Sequence, residues 1–479
     1  MGIFVIDQGP ELFWFVNNAL LETEIAIKHY QTLEACEEHI LKELPPIVVL
    51  NACHNYPVEK FINKMRNHVF ARNTIFIVFT SNTSDHFKKN LLISGAAQIF
   101  YIGMGHNPSP KFLGSYIKWC LSSKAPNANI FDYKPVSFDA EAELRLFGRM
   151  GWVSSSHCMI ETNLELNPGQ SIEFTNLLFG ELKIKDVKLQ CIERNKVGRY
   201  YQYSNSVLCK IIFNDPGYSR VLGAWIQANQ DISINKSIKL VYFEDDHSDR
   251  ANIKQMIKMD KRYCARGYNS IQDITEVLEY QIPHLVLINR ALIRGNKKLF
   301  EKIKPFMKNH FCHCVTYDTG NDNDKDIAEF KKNYDFALHS PTSVDLPLLE
   351  SMIQKLEAKL PTDLAPDKNK IYFDKHSKYS RITLHSPAKL TEIATNGGGI
   401  ILPFVISNFG ACEISCQAFN TAMINRNQFF RVFSSQNSSN GVYHFLIFMG
   451  QSVKDNLLVK EAVEKIETVG FEKWVNGEF

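Results

Sequence analysis

The chain has 479 residues, of which 45% are hydrophobic and 22% charged, the proportions of an ordinary globular protein rather than a disordered or collagenous one. Single cores stop growing near about 250–300 residues, so a chain of this length divides into several domains. A net charge of +3 is too small an excess to name nucleic acid or anionic lipid as the partner, and no apolar run approaches the roughly 18–20 residues that a membrane span requires.

From the N-terminus, Met1 to Asp7 reaches an acidic residue at once without a basic flank, so no secretory signal is expected. Short β-branched and aromatic runs then alternate with helix-length segments: Ile3 to Ile6, Ile25 to Tyr30, Ile47 to Leu50, Ile75 to Phe79 and Ile99 to Ile102. That alternation predicts a parallel sheet wrapped by helices. After a polar linker at Ser123 to Phe138 the pattern changes to period two with Gly and Asn turns, the mark of antiparallel structure. The clearest strands there are Met159 to Thr162, Ser171 to Phe174, Val187 to Ile192 and Val207 to Phe213, with Asn167-Pro168-Gly169 as a turn and a helix near Tyr218 to Asn229.

The same order then returns. Ile238 to Phe243, Arg262 to Cys264, His284 to Ile288, His313 to Tyr317 and Phe336 to Leu338 repeat the first series, and a second linker follows at Pro361 to Lys370. Ile400 to Ile406, Glu413 to Phe419, Phe429 to Ser434, Tyr443 to Met449 and a helix at Val453 to Thr468 repeat the second. Asp7 and Asp245, like Asn51 and Asn289, are offset by 238 residues, and Thr80 and Thr316 by 236. An internal repeat of this length predicts a doubled architecture, with modules at 1–122, 139–235, 236–360 and 370–479.

The eleven cysteines are odd in number, scattered, and without a C-x-x-C pair, as expected of buried thiols in a reducing, cytoplasmic setting. His310, Cys312, His313 and Cys314 crowd one strand and read as core rather than as four tetrahedral ligands. Trp14, Trp119, Trp152 and Trp225 lie near helices or module edges, where they can pack one module on another.

The second α/β segment resembles a response-regulator receiver domain. Its first strand runs into Glu244-Asp245-Asp246 and Arg250, and its third, Pro283 to Ile288, ends at Asn289. The resemblance implies a doubly wound, flavodoxin-like five-stranded fold with an acidic pair for Mg²⁺ and an aspartate phosphoacceptor at the mouth of the third strand. Here that acceptor position is Asn289. An amide neither attacks phosphorus as a carboxylate does nor adds charge to a cation site, so acyl-phosphate chemistry is not expected. Thr316 stands at the receiver threonine position, and Ser340-Pro341 replaces the family's Lys-Pro. In the first segment Asp7 and Thr80 remain, the acceptor position is Asn51, and the lysine position falls near Ile102. Both therefore resemble pseudo-receivers. Glu244, Asp245 and Asp246 are the one weak metal candidate, since Mg²⁺ demands near-octahedral oxygen ligation.

The β segments resemble PilZ domains, small six-stranded antiparallel barrels of bacterial signalling that commonly bind cyclic di-GMP through an R-x-x-x-R loop and a [D/N]-x-S-x-x-G turn. In the C-terminal copy Glu392-Ile393-Ala394-Thr395-Asn396-Gly397 stands for the turn, and Lys378 with Arg381 for the arginine pair, position 377 being Ser. The resemblance makes Lys378, Arg381, Thr395, Asn396, Gly397 and Gly398 the candidate nucleotide-binding residues, since a guanidinium grips phosphate and a Gly-rich turn lets backbone approach. In the N-terminal copy Arg145-Leu-Phe-Gly-Arg149 fits the letters but lies inside the first strand, with both arginines on one side.

No Walker loop, H-E-x-x-H, paired zinc spacing or catalytic triad order is present, so an enzyme is not expected. The sequence expectation is an α/β plus all-β protein, two receiver-like domains alternating with two PilZ-like barrels. It is expected to act without catalysis or cofactor as a bacterial signalling scaffold whose partners are other signalling or motility proteins. The alternative is a cyclic di-GMP effector working through the C-terminal barrel.

Overall fold

The computed structural model describes residues 2–52, 57–68, 70–102, 109–121, 133–196, 202–233, 238–259, 263–271, 274, 277–278, 283–292, 312–318, 336–339, 346–357, 369–374, 377–408, 410–422 and 427–476. The chain forms two compact units. One comprises Met1–Arg194, Tyr200–Ala224 and Phe373–Phe479, the other Asn195–Arg199 and Trp225–Tyr372. Among the described residues no helix is long and apolar enough to cross a membrane.

The first unit opens with five strands, β1 (Gly2–Ile6), β2 (Ala26–Tyr30), β3 (Ile47–Asn51), β4 (Ile75–Thr80) and β5 (Ala96–Tyr101), interleaved with α1 (Glu11–Ala19), α2 (Leu33–Glu43), α3 (Val58–Asn67), α4 (Asp85–Ser94) and α5 (Pro110–Leu121). The order β2-β1-β3-β4-β5 is that of a flavodoxin-like doubly wound sheet, and its ladders are parallel. β3 and β4 are buried along their whole length, which is why they read as unbroken apolar runs instead of alternating ones. The Thr32 hydroxyl accepts the Ala35 N–H at 3.1 Å to cap α2.

The chain continues through β6 (Val136–Val153), β7 (His157–Thr162), β8 (Leu164–Glu165), β9 (Ser171–Asn176), α6 (Leu177–Glu181), β10 (Lys188–Lys196), β11 (Asn205–Ile212) and α7 (Gly217–Ala228). The second unit follows, with β12 (Ile238–Phe243), α8 (His247–Met259), β13 (Tyr263–Tyr268), β14 (Leu285–Asn289), β15 (His313–Asp318), β16 (Phe336–His339) and a helix at Leu346–Glu357. Its parallel order β13-β12-β14-β15-β16 repeats that of the first sheet, around a core that includes Leu240, Tyr242, Leu287, Val315 and Ile353. Cys312 and Cys314 are buried, as expected of strand packing, whereas His310, Arg262 and Ser340-Pro341 lie outside the described residues. After the two-residue β17 (Ile371–Tyr372) the chain returns to the first unit as β18 (Arg381–Ala394), β19 (Gly397–Leu402), β20 (Val405–Ile406), β21 (Ala411–Cys416), a helix at Gln417–Thr421, β22 (Asn427–Ser438), β23 (Gly441–Phe448) and helices at Val453–Val469 and Phe471–Val475. The run expected as one strand over Glu413 to Phe419 is thus split: its last three residues open the short helix.

Two separate small barrels were expected from the β segments; the described ladders interlock them. β6, β7, β11, β10, β9 and β18 pair in one closed circuit, and β6, β21, β22, β23, β19 and β18 in a second. The circuits share the long antiparallel β6–β18 ladder, which runs from Arg149 opposite Arg381 to Val136 opposite Ile393. Each long strand serves one circuit with its first half and the other with its second. β18 pairs β9 over Ile382 to His385 and β19 over Lys389 to Ala394. β6 pairs β21 over Ala142 to Leu146 and β7 over Arg149 to Val153. Pro387, which has no N–H to give, falls in the interval between the two partners of β18. β8 and β20 pair with each other, and the ladders of one circuit correspond in order to those of the other.

The α/β layer and the second circuit share a core: Phe433, Phe445 and Ile447 pack with Val49, Ile77, Phe79 and Trp119. The Trp119 and Phe433 rings are 4.8 Å apart, so Trp119 does join two layers as expected. Trp14, 60% exposed, does not.

Candidate functional site

At the carboxyl end of the first sheet, Asp7 follows β1 directly and Asn51 ends β3. Asp7 is buried, 1% exposed, and both of its carboxylate oxygens are taken. The Asn51 amide donates to Oδ1 at 2.8 Å, and the backbone N–H of Leu12, in α1, donates to Oδ2 at 3.0 Å. Thr80 closes β4; its hydroxyl accepts the Asn82 N–H at 3.0 Å, and its carbonyl accepts the N–H of Ile102 at 2.9 Å. Ile102, just after β5, packs its side chain against the core of this sheet.

The second sheet builds the same arrangement from different letters. Glu244 follows β12, is fully buried, and its carboxylate accepts from three sides. The Asn289 amide donates to both oxygens at 3.0 and 3.2 Å, the Tyr317 hydroxyl donates to Oε2 at 2.8 Å, and the Asp246 N–H donates to Oε1 at 3.0 Å. Asn289 Oδ1 in turn accepts the Ala291 N–H at 3.0 Å. Burial lifts the Glu244 carboxyl above its ordinary range against the pull of these donors, and it drives the Tyr317 hydroxyl up with it.

Two sequence correspondences change. The backbone N–H of Asp7 donates to Tyr30 O, and that of Glu244 to Tyr268 O, the same place beside the second strand. Glu244, not Asp245, is therefore the counterpart of Asp7; Asp245 and Asp246 are exposed. The offset of 238 does not extend to the first strand because the connection from the first strand to the second is one residue longer in the second sheet: Ile3 pairs with Ile27, but Leu240 with Ala265. Likewise Asn51 faces Phe79 across β3–β4, whereas Asn289 faces Tyr317 across β14–β15. Tyr317 thus occupies the Phe79 place, and buried Thr316 sits opposite Ile288 instead of beyond the asparagine as Thr80 does. Among the described residues no three His, Cys, Asp or Glu side chains gather as metal ligands would.

The candidate nucleotide set is not brought together. Arg381 begins the 14-residue β18, and Thr395-Asn396 turn the chain at its far end; the strand between them is on the order of 40 Å long at about 3.3 Å per residue. Lys378 is exposed and donates to Glu181 at 2.7 Å, while Tyr379 donates its hydroxyl to the other Glu181 oxygen at 2.7 Å. These bonds hold the Glu181 carboxyl low and the Lys378 ammonium high. Gly397 and Gly398 are buried members of β19 rather than an open turn. A Cβ on Gly397 would stand 1.9 Å from the Leu446 carbonyl oxygen, so strand packing alone requires glycine there. Glu392, at the turn's acidic position, accepts from the Tyr133 hydroxyl at 2.7 Å and from Tyr443. Of the letter match in the other copy, Arg145 pairs with Glu143 and Glu413, and Arg149 with Glu161.

No family model matches the sequence, and no curated protein does. Solved structures do, over a quarter of the chain. A response regulator from Thermotoga maritima is similar at 18% identity, covering 26% of this chain and 98% of that one, with a TM-score of 0.23. The orphan response regulator HP1043 of H. pylori is similar at 16% identity over 26% of this chain and 97% of its own, with a TM-score of 0.22. The chemotaxis response regulator CheY4 of Vibrio cholerae gives 15%, 25%, 97% and 0.22.

Proposed function

We propose that this chain is a non-catalytic signalling protein in which two pseudo-receiver layers and two interlocked PilZ-like β segments act as a scaffold for other proteins of a bacterial pathway. One observation carries the reading. At the mouth of both doubly wound sheets an asparagine amide donates to the buried carboxylate after the first strand, Asn51 to Asp7 and Asn289 to Glu244. The atoms that in a receiver would ligate Mg²⁺ and accept phosphate are engaged with each other. An amide nitrogen whose hydrogens point at a carboxylate is no nucleophile, and the donors take up lone pairs that a cation would need: four bonds fill the Glu244 carboxylate, and two engage both oxygens of Asp7. What the reading leaves to the two α/β layers is contact with other proteins through their surfaces.

Titration of the full chain with beryllofluoride and Mg²⁺, followed by fluorine NMR, tests this. The scaffold reading expects only the signals of free beryllofluoride species; a slowly exchanging protein-bound signal contradicts it. For the cyclic di-GMP reading, Arg381 and the Thr395-Asn396 turn stand at opposite ends of β18, which weighs against one site built from both.

A further inference from the structure

In the first unit a cavity of about 90 Å³ opens where α3 and α4 meet the start of β18. Four cationic side chains line it: Arg66 from α3, Lys89 from α4, Arg149 from β6 and Arg381 from β18; among the described residues lining it none is acidic. We propose that this cavity binds a phosphate group, as inorganic phosphate or as the phosphate of a small monoester.

The cross-strand geometry is the strongest argument. Arg149 and Arg381 face each other directly in the β6–β18 ladder, and like charges directly opposite on one face destabilise a sheet. Arg149 is offset on its other side by Glu161. Arg381 makes no ion pair among the described residues. The opposite wall adds charge instead of relieving it. Arg66 is buried, 6% exposed; its guanidinium donates to the carbonyls of Arg72 and, at 2.6 Å, of Gly95, and lies 5.1 Å from the Phe76 ring centre. These contacts fix its orientation, and carbonyl acceptors leave its positive charge in place. Lys89 stands 3.6 Å from the buried Glu413 carboxylate and 5.5 Å from the Phe147 ring centre, so one carboxylate is shared between Lys89 and Arg145.

At the rim Arg381 can offer a fork of two N–H bonds and Lys89 an ammonium to the tetrahedral oxygens of a phosphate, while Arg66 and Arg149, whose N–H groups are engaged by carbonyls and by Glu161, add their charge to the wall. The volume is that of several water-sized groups, given about 10–15 Å³ for one, enough for a phosphate. Such a ligand would tie α3 and α4 to the central β6–β18 ladder. The site lies at the opposite end of β18 from the glycine-bearing hairpin.

Isothermal titration calorimetry on the full chain at constant ionic strength tests the proposal, with inorganic phosphate, AMP and chloride as titrants. Saturable binding of phosphate is expected. It should weaken at least tenfold in Arg381→Ala and in Lys89→Ala, recover in part in Arg381→Lys, and be unchanged in Lys378→Ala, whose ammonium lies outside the cavity. Arg381 and Lys89 are exposed at the rim, so circular dichroism of both variants should match the parent. If AMP also binds and competes with phosphate, the phosphate is recognised as part of a monoester; if phosphate alone binds, the free ion is the ligand. Absence of saturable binding by both, heats matched by chloride, or affinity unaltered by Arg381→Ala overturns the proposal.

Discussion

Replacing Asn289 by aspartate restores the receiver letter and should harm the fold. The substitution exchanges an amide that donates to Glu244 at 3.0 and 3.2 Å for a carboxylate at the same separation, in a place where Glu244 is fully buried and position 289 is 3% exposed. Two unit charges about 3 Å apart repel by roughly 5 kcal/mol at an effective dielectric constant near 20. The pair escapes part of this by keeping one proton. Holding a carboxyl of ordinary pKa near 4 neutral at pH 7 costs about 1.4 kcal/mol per pH unit, or about 4 kcal/mol, and this lower figure is the expected loss. The sign with pH follows. A carboxyl whose folded pKa is raised contributes stability below its unfolded pKa and loses it as pH rises, so the deficit of Asn289→Asp relative to the parent should shrink by about 3 kcal/mol between pH 7 and pH 5. Urea unfolding of both proteins across that range, read by tyrosine fluorescence and circular dichroism, measures it. A variant as stable as the parent at pH 7, or a deficit independent of pH, would refute the reasoning.

Gly397→Ala should be among the most damaging single-methyl changes in the molecule. Its Cβ would stand 1.9 Å from the Leu446 carbonyl oxygen within the β19–β23 ladder, a backbone clash expected to cost more than about 4 kcal/mol; a melting temperature within a few degrees of the parent would contradict the close approach. His444 is buried, accepts the Ile406 N–H at 2.9 Å on Nε2, and donates from Nδ1 to the Val442 carbonyl at 3.0 Å. Burial lowers its pKa from 6.5 to about 4. A depressed folded pKa makes stability fall as pH drops through the window from 6.5 to 4, by about 3 kcal/mol at the lower end. His444→Gln, which keeps an acceptor without the proton, should flatten that limb of a denaturation-midpoint profile, and superimposable profiles would count against it.

The parallel sheets were legible because buried parallel strands carry nearly continuous apolar runs: Ile47 to Leu50 and Leu285 to Ile288 announce themselves, and their terminal asparagines follow by counting. The β6–β18 exchange was not. Whether Val136–Val153 closes on its own segment or on a partner more than 200 residues away leaves the same period-two pattern, and ladder choice is decided by contacts that alternation does not encode. The Glu244 site was half legible. An acidic cluster after a strand was visible, but which member turns inward depends on a one-residue difference in the connection between the first two strands, and Tyr317 showed no mark beyond being an aromatic residue in a strand. The basic cavity was the least visible, since Arg66, Lys89, Arg149 and Arg381 come from four elements scattered over more than 300 positions and meet only through the fold.

The central claim is that neither sheet carries an acceptor for phosphate. The most direct measurement is the intact mass of the full chain after incubation with acetyl phosphate and Mg²⁺, with peptide mapping over Asn51 and Asn289. The account predicts an unchanged mass; a hydroxylamine-labile phosphoryl group mapped to the mouth of either sheet would contradict it.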